Sequence, residues 1–448
     1  MKKSFWIFLL LLPFLLVGCS EKQNAAAATV SGQMNYSEQT IAAVQKLTDG
    51  NTAAFYQLFD DNMKKEMSEQ DLQALWNKTC YQYGAFQYYL SEIAISSKDG
   101  NQTASIPCIF ENGTLTVRLT FNKEGAISGF YMTEGENVSG SPRLNNDIEI
   151  SFGTEDYPLS GSLTLPEGSG PFPVVILVQG SGAFDRNEQI GPNVPFLDLA
   201  EQLAQQGIAV LRYDNRSYLY EEDVIQTDNW TVYEETIDDV VAAAAFLQTL
   251  HTIKNEQIYI AGHNMAGYLL PRIAEQTPDA AGYIFLAASA RPQEDLLLEQ
   301  TAYILSTEKN LDEASKTKIM EQTEATVSNI KTLTAGSTLP ASALYNLPAS
   351  YWLDLQTYQP LQQVQKIEQP LLFLQGGRDY QVSTTDYQLW QSALDETKDV
   401  HFLYYDNLNH LFMSGTGKST PAEYEQKGVF SSQVSDDIAQ FIKNHCEP

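Results

Sequence analysis

Basic residues are scarce in this chain. Of 448 residues, 27 are Lys or Arg against 56 Asp or Glu, a formal net charge of −29. A surface of that sign repels phosphate backbones and anionic headgroups, so neither nucleic-acid binding nor an electrostatic grip on anionic lipid is expected. Cysteine is almost absent: only Cys19, Cys80, Cys108 and Cys446 occur, and no two form a C-x-x-C pair. The five histidines, His251, His263, His401, His410 and His445, are scattered along the sequence. Such spacing suggests no metal site, and the chemistry read below needs neither a metal nor an organic cofactor. What is present is ordinary globular material, 43% hydrophobic and 11% aromatic, long enough for two or three domains. Oligomeric state is not legible.

The first residues are not fold. Met1-Lys2-Lys3 is followed by an apolar stretch, Phe5 to Val17, that Pro13 interrupts and that is too short for a stable membrane span. It ends in Leu16-Val17-Gly18-Cys19. This resembles a bacterial lipoprotein signal, residues 1–19, which implies cleavage before Cys19, a lipid on Cys19, and an extracytoplasmic protein held to the membrane by that lipid. The alternative is an ordinary secretory signal with a chance cysteine. Residues 20–36, with four consecutive alanines, read as a flexible tether. Outside the cytoplasm Cys80 and Cys108, which share one small domain, are candidates for a disulfide. Cys446 has no evident partner.

Residues 37–133 read as a small α+β domain. Ile41 to Leu47 and Phe55-Tyr56-x-x-Phe59 have helical spacing, and Ser68 with Asp71 three residues on marks a helix start. Strands follow over 86–95, 103–111, 114–122 and 126–133, with Asn112-Gly113 as a hairpin turn. The layout resembles cone-shaped cystatin-like or NTF2-like folds, and a small domain that often precedes secreted bacterial hydrolases. Its aromatics Tyr81, Tyr83, Phe86, Tyr88 and Tyr89 are expected in the core. Residues 134–146 form a linker. Residues 147–448 then alternate strands and helices, which predicts a mostly parallel, doubly wound α/β sheet. The alternation breaks at about 291–365, where helices alone are expected to form a cap.

The chemistry centres on Gln257 to Arg272. An apolar strand-like run, Ile258 to Ala261, leads through Gly262-His263-Asn264-Met265-Ala266-Gly267 into a helix-like run. A strand, a tight turn of small residues and a helix place one side chain, here Asn264, over the end of a sheet. An acid, Asp379, follows the strand-like Leu371 to Gln375, and His410 follows the strand-like Val400 to Tyr405. The glycine-rich Gln179-Gly180-Ser181-Gly182 follows another strand, where a backbone N–H can face a developing oxyanion.

With these motifs, and with Arg212-Tyr213-Asp214, Ala290-Arg291-Pro292 and Leu408-Asn409-His410-Leu411-Phe412, the chain resembles the α/β-hydrolases of the serine-aminopeptidase-like or dienelactone-hydrolase-like esterase group. The resemblance implies the α/β-hydrolase fold, Asp379 as acid, His410 as general base, Gly182 and Met265 as oxyanion donors, and a small-molecule ester or acyl ligand. It implies hydrolysis of carboxylic esters, or of amides or peptides, through an acyl-enzyme. The nucleophile does not carry over: Asn264 stands where the family has serine, and Ala266 where it has glycine. An amide offers no proton whose loss leaves a useful nucleophile. Losing the nucleophile from a triad costs about a millionfold, on the order of 8 kcal/mol. Four readings follow: a silent protein that keeps the pocket for binding, weak hydrolysis by water activated at His410–Asp379, deamidation of Asn264 to a carboxylate, or substitution by another hydroxyl such as Ser181.

Overall fold

The computed structural model describes residues 36–445 except 85, 91–92, 99–100, 111–112, 135–141, 145, 155, 221–228 and 395–397. The signal segment with Cys19, residues 20–35 of the tether, Asn112 of the hairpin turn, most of the linker and Cys446 lie outside that set. The chain divides into two compact units at Asp147–Ile148.

The first unit packs helices against an antiparallel sheet. The helices are Tyr36–Thr48, Thr52–Tyr56, Asp61–Glu66 and Glu69–Tyr83. Side-chain caps start three of them: Asn51 accepts from the Ala54 N–H, Asp60 from those of Asn62 and Met63, and Ser68 and Asp71 form a reciprocal capping box. The strands are β1 (Phe86–Leu90), β2 (Ala94–Lys98), β3 (Asn101–Phe110), β4 (Gly113–Phe121), β5 (Ile127–Glu134) and β6 (Pro142–Arg143). They are ordered β5-β4-β3-β1-β6, with β2 also on β3. The single strand expected over 86–95 is two, because the long β3 pairs with β1 through Cys108–Phe110 and with β2 through Asn101–Ser105.

Period-two burial builds this core: Ala104, Ile106, Cys108 and Phe110 on β3 face inward with Leu115, Val117, Leu119 and Phe121 on β4. Phe55 and Phe130 meet in it edge to face at 5.1 Å. Two expectations fail. Tyr81 is 93% exposed and no part of the core. Cys80 and Cys108 are both free thiols. Cys108 lies on the inward face of β3, and its Sγ–H points to the Ile106 carbonyl of its own strand. Burial pushes that thiol far up from its ordinary value, the environment of an inert structural cysteine.

The second unit is built on β7 (Asp147–Gly153), β8 (Pro158–Thr164), β9 (Phe172–Val178), β10 (Ala209–Tyr213), β11 (Ile253–His263), β12 (Gly282–Leu286), β13 (Leu371–Gly376) and β14 (Val400–Tyr405), with its first residue, Asp147, closing the first unit. The sheet order is β14-β13-β12-β11-β9-β10-β8-β7. From β10 through β14 every pairing is parallel, and β8 runs antiparallel to β10. The sheet is thus mixed, mostly parallel and wrapped by helices, as the alternation predicts. β10, β12 and β13 are buried throughout, the signature of strands covered on both faces. Between β12 and β13 lie the expected helices, Gln293–Thr307, Glu313–Lys331 and Ala349–Gln356.

Candidate active site

β11 ends at His263 and the next helix, Met265–Gln276, begins two residues later, so Asn264 alone makes the turn. Its backbone sits at φ 50°, ψ −111°, a region that L residues rarely enter and in which asparagine is better tolerated than most. Two glycines permit the turn. A Cβ on Gly262 would stand 2.7 Å from the Ala266 carbonyl carbon, and one on Gly267 would stand 2.5 Å from Ala288 Cβ. Ala266 itself is fully buried in the hydrophobic core. The Asn264 N–H donates to the Leu286 carbonyl at the end of β12, 3.0 Å away, which pins the turn to the sheet.

The three residues read from the sequence meet at the C-terminal ends of the parallel strands. Asp379 Oδ2 is 2.7 Å from His410 Nδ1, and His410 Nε2 is 2.7 Å from Asn264 Nδ2. Both members of the Asp–His pair are buried, whereas Asn264 is half-buried. The Asp379 carboxylate is fixed by its surroundings: Oδ1 accepts from the N–H groups of Gln381 at 2.7 Å and Val382 at 3.1 Å, and Oδ2 from Gln375 Nε2 at 3.3 Å. A carboxylate only accepts, so His410 Nδ1 carries a proton and donates to it. In the neutral ring Nε2 is then a lone pair, and the Asn264 amide N–H donates into it. The loop carrying His410 is tied down by Asn409, whose Oδ1 accepts from the N–H groups of Leu411 and Met413 and whose Nδ2 donates to Glu423.

A second buried pair underlies the first. His263 Nδ1 is 2.9 Å from Glu188 Oε2, and His263 Nε2 is 3.1 Å from the His410 carbonyl. Both partners accept, so both nitrogens donate and His263 is an imidazolium. Burial works against that charge. Glu188 beside it and the hydrogen bonds to Glu188 and to the His410 carbonyl outweigh burial and hold the His263 pKa above its ordinary value. Glu188 Oε1 also accepts from the Gly180 N–H at 2.8 Å. The pair therefore ties the glycine-rich loop to the histidine loop. Neither Glu188 nor the role of His263 is marked by a motif in the sequence, since the two meet across 75 residues.

The Gly182 carbonyl accepts from Asn215 Nδ2 at 2.7 Å, which helps fix the glycine-rich loop. Gly180 and Ser181 are the loop residues that line the cleft with Asn264, and a Cβ on Gly180 would lie 3.2 Å from Asn264 Cβ. Met265, the first helical residue, lines the neighbouring cleft. Asp185 and Arg186 brace the loop: Asp185 Oδ1 accepts from the Gln189 N–H at 2.9 Å, and Arg186 pairs with Glu149 at 2.8 Å and Asp214 at 2.6 Å.

Two clefts of about 360 and 300 Å³ meet at Ser181. The first holds Asn264, His410, His263 and Glu188, with Phe184 and Ile190 at its wall. The second runs under the cap, lined by Met265, Leu297, Tyr345, Leu347, Tyr351 and Trp352. Tyr351 of the cap donates to the buried carboxyl of Glu235 at 2.7 Å, whose pKa burial pushes up despite that bond. Tyr303 and Tyr358 are not pocket residues: their hydroxyls bond the Ser419 and Tyr268 carbonyls.

Known proteins similar to this chain are hydrolases and esterases. Residues 194–417 match the family described as serine aminopeptidase, S33, and residues 42–130 match a protein family of unknown function, DUF3887. The chain is 31% identical over 410 residues to esterase EstD of Thermotoga maritima, covering 91% of this chain and 95% of that one. Among solved structures, the Pyrococcus furiosus esterase Pf2001 aligns over 67% of this chain and 91% of its own at 16% identity, with a TM-score of 0.43. Est1E of Butyrivibrio proteoclasticus aligns over 66% of this chain and 98% of its own at 16% identity, with a TM-score of 0.43.

The Glu188–His263 pair makes stability depend on pH in a stated direction. A histidine whose folded pKa exceeds its unfolded value contributes stability that is full below the unfolded pKa, about 6.5, and is lost as pH rises through the folded one. Urea unfolding of the native protein and of Glu188→Gln should differ by about 1–3 kcal/mol near pH ~6, with a smaller difference near pH ~9. An equal difference at both would show that His263 is neutral.

Proposed function

This chain belongs to the serine aminopeptidase S33 family of α/β-hydrolases, and from that premise we propose that it keeps an ester-binding site whose catalysis is lost, or reduced to a trace, at Asn264. The observation that carries the reading is the Asn264 Nδ2 to His410 Nε2 contact of 2.7 Å. A working base needs that lone pair for the proton of a nucleophile. Here an amide N–H occupies it, and the amide has no nucleophilic atom to release in return. The same contact weighs against water activation by the Asp379–His410 pair, since water must first displace a side chain held by a pinned turn. Ser181 is an unsuitable replacement because the side chain that meets His410 Nε2 is that of Asn264. Deamidation of Asn264 has no supporting feature in its surroundings.

The rest of the site favours retained binding. The Asp379–His410 pair, the N–H groups of the glycine-rich loop and of Met265 and the cleft under the cap make a preformed place for an acyl group and its carbonyl. The name of the 31% identical relative, an esterase, supports a carboxylic ester as the ligand class. We also propose that the protein is exported and anchored through a lipid on Cys19, on the strength of Leu16-Val17-Gly18-Cys19 after an apolar segment.

Reversion of the turn tests the first proposal. Asn264→Ser with Ala266→Gly should hydrolyse p-nitrophenyl acetate or butyrate at least about a thousandfold faster than the native protein, and His410→Ala in that background should remove the gain. Native turnover within about tenfold of the revertant, abolished by His410→Ala, would overturn the proposal. For the anchor, metabolic labelling with palmitate in a bacterial host should mark the native chain and not Cys19→Ala; label on neither would refute it.

A further inference from the structure

Two histidines left out of the site come together elsewhere. His401 is the second residue of β14, and His445 follows the last helix, Ser432–Asn444. Asp399, just before β14 and 46 residues from His445, reaches both. Its Oδ1 is 2.9 Å from His401 Nε2 and its Oδ2 is 2.9 Å from His445 Nε2. One atom from each of the three residues lies within 4.8 Å of the others.

The rings are aimed as well as near. His445 Nδ1 is 2.7 Å from the Phe441 carbonyl. A carbonyl only accepts, so Nδ1–H donates to it, and Nε2 is the nitrogen that faces Asp399, where a metal ion would take the place of the shared proton. Metal-bound histidines are commonly oriented by such a bond from the other nitrogen to a carbonyl. The Phe441 ring packs against both imidazoles, at 4.6 Å from His445 and 5.7 Å from His401. The side chains of Asp399 and His401 are half exposed, 50% and 51%, so both can make the small shift that a shared ion requires and solvent can complete the coordination.

We propose that Asp399, His401 and His445 form a surface site for a borderline divalent cation, Zn²⁺ foremost. Two imidazole nitrogens and one carboxylate oxygen suit Zn²⁺, Ni²⁺ or Cu²⁺ and not Ca²⁺ or Mg²⁺, which require oxygen shells. The ion would staple the C-terminal helix to β14. Asp399 and His401 stand at the N-terminal end of the parallel strands, opposite the end that carries Asp379 and His410, so hydrolysis is not the readout.

Calorimetric titration of the tag-free full chain with ZnCl₂, and in parallel with CaCl₂, tests the site. One saturable Zn²⁺ site of roughly micromolar Kd is expected, with a rise in Tm on adding the ion and no Ca²⁺ binding. His401→Ala and His445→Ala should each weaken Zn²⁺ binding by at least about tenfold and abolish the rise in Tm. His401→Ala, at a half-exposed position, should leave the far-ultraviolet circular dichroism unchanged. No saturable Zn²⁺ binding, Zn²⁺ binding unaffected by both substitutions, or Ca²⁺ bound as tightly would overturn the proposal.

Discussion

The turn at Asn264 is the constraint from which the site follows. The chain must pass from β11 into a helix within one residue, and this demands a positive φ at position 264. Close contact of Gly262 with the Ala266 backbone and of Gly267 with Ala288 makes that turn fit. The core around it fixes the direction of the Asn264 side chain and leaves one partner within reach, His410 Nε2. The turn also places the Met265 N–H at the free end of its helix, where no intrahelical acceptor exists. Replacing serine by asparagine therefore removes a reacting atom without loosening the frame that would hold it.

His410 is held from two sides. Asp379 fixes its ring through Nδ1, and His263 fixes its backbone carbonyl. The Asp379 carboxylate accepts from the His410 ring N–H, and the cationic His263 pairs with the Glu188 carboxylate. Buried charges persist only when paired and hydrogen-bonded, and each carboxylate here accepts from an imidazole N–H. Glu235 does for the cap what Glu188 does for the histidine loop, since the Tyr351 hydroxyl donates to it. A site with this much polar investment keeps its shape in the absence of turnover, which is the physical basis for reading it as a binding site.

The elbow, Asp379 and His410 were legible because each stands just past a strand that its own neighbours announce. The β13 run Leu371 to Gln375 and the β14 run Val400 to Tyr405 are local signals, and the parallel sheet sets their ends side by side. The small domain's helices were legible where caps mark them, as at Ser68. What failed depends on tertiary contacts. Cys80 and Cys108 share a domain, but the inward face of β3 keeps Cys108 apart as a buried thiol. Glu188 and His263 meet across 75 residues, and scattered histidines gave no hint that His401 and His445 share Asp399.

The most direct test of the central claim is covalent labelling read by intact mass and peptide mapping. The native protein and Asn264→Ser would each be exposed to a fluorophosphonate, which traps an activated hydroxyl beside a histidine base. The account predicts no adduct on the native chain and one adduct, in the peptide spanning position 264, on the variant. An adduct on the native chain, at Ser181 or any other hydroxyl, would contradict it, as would a variant that stays unlabelled.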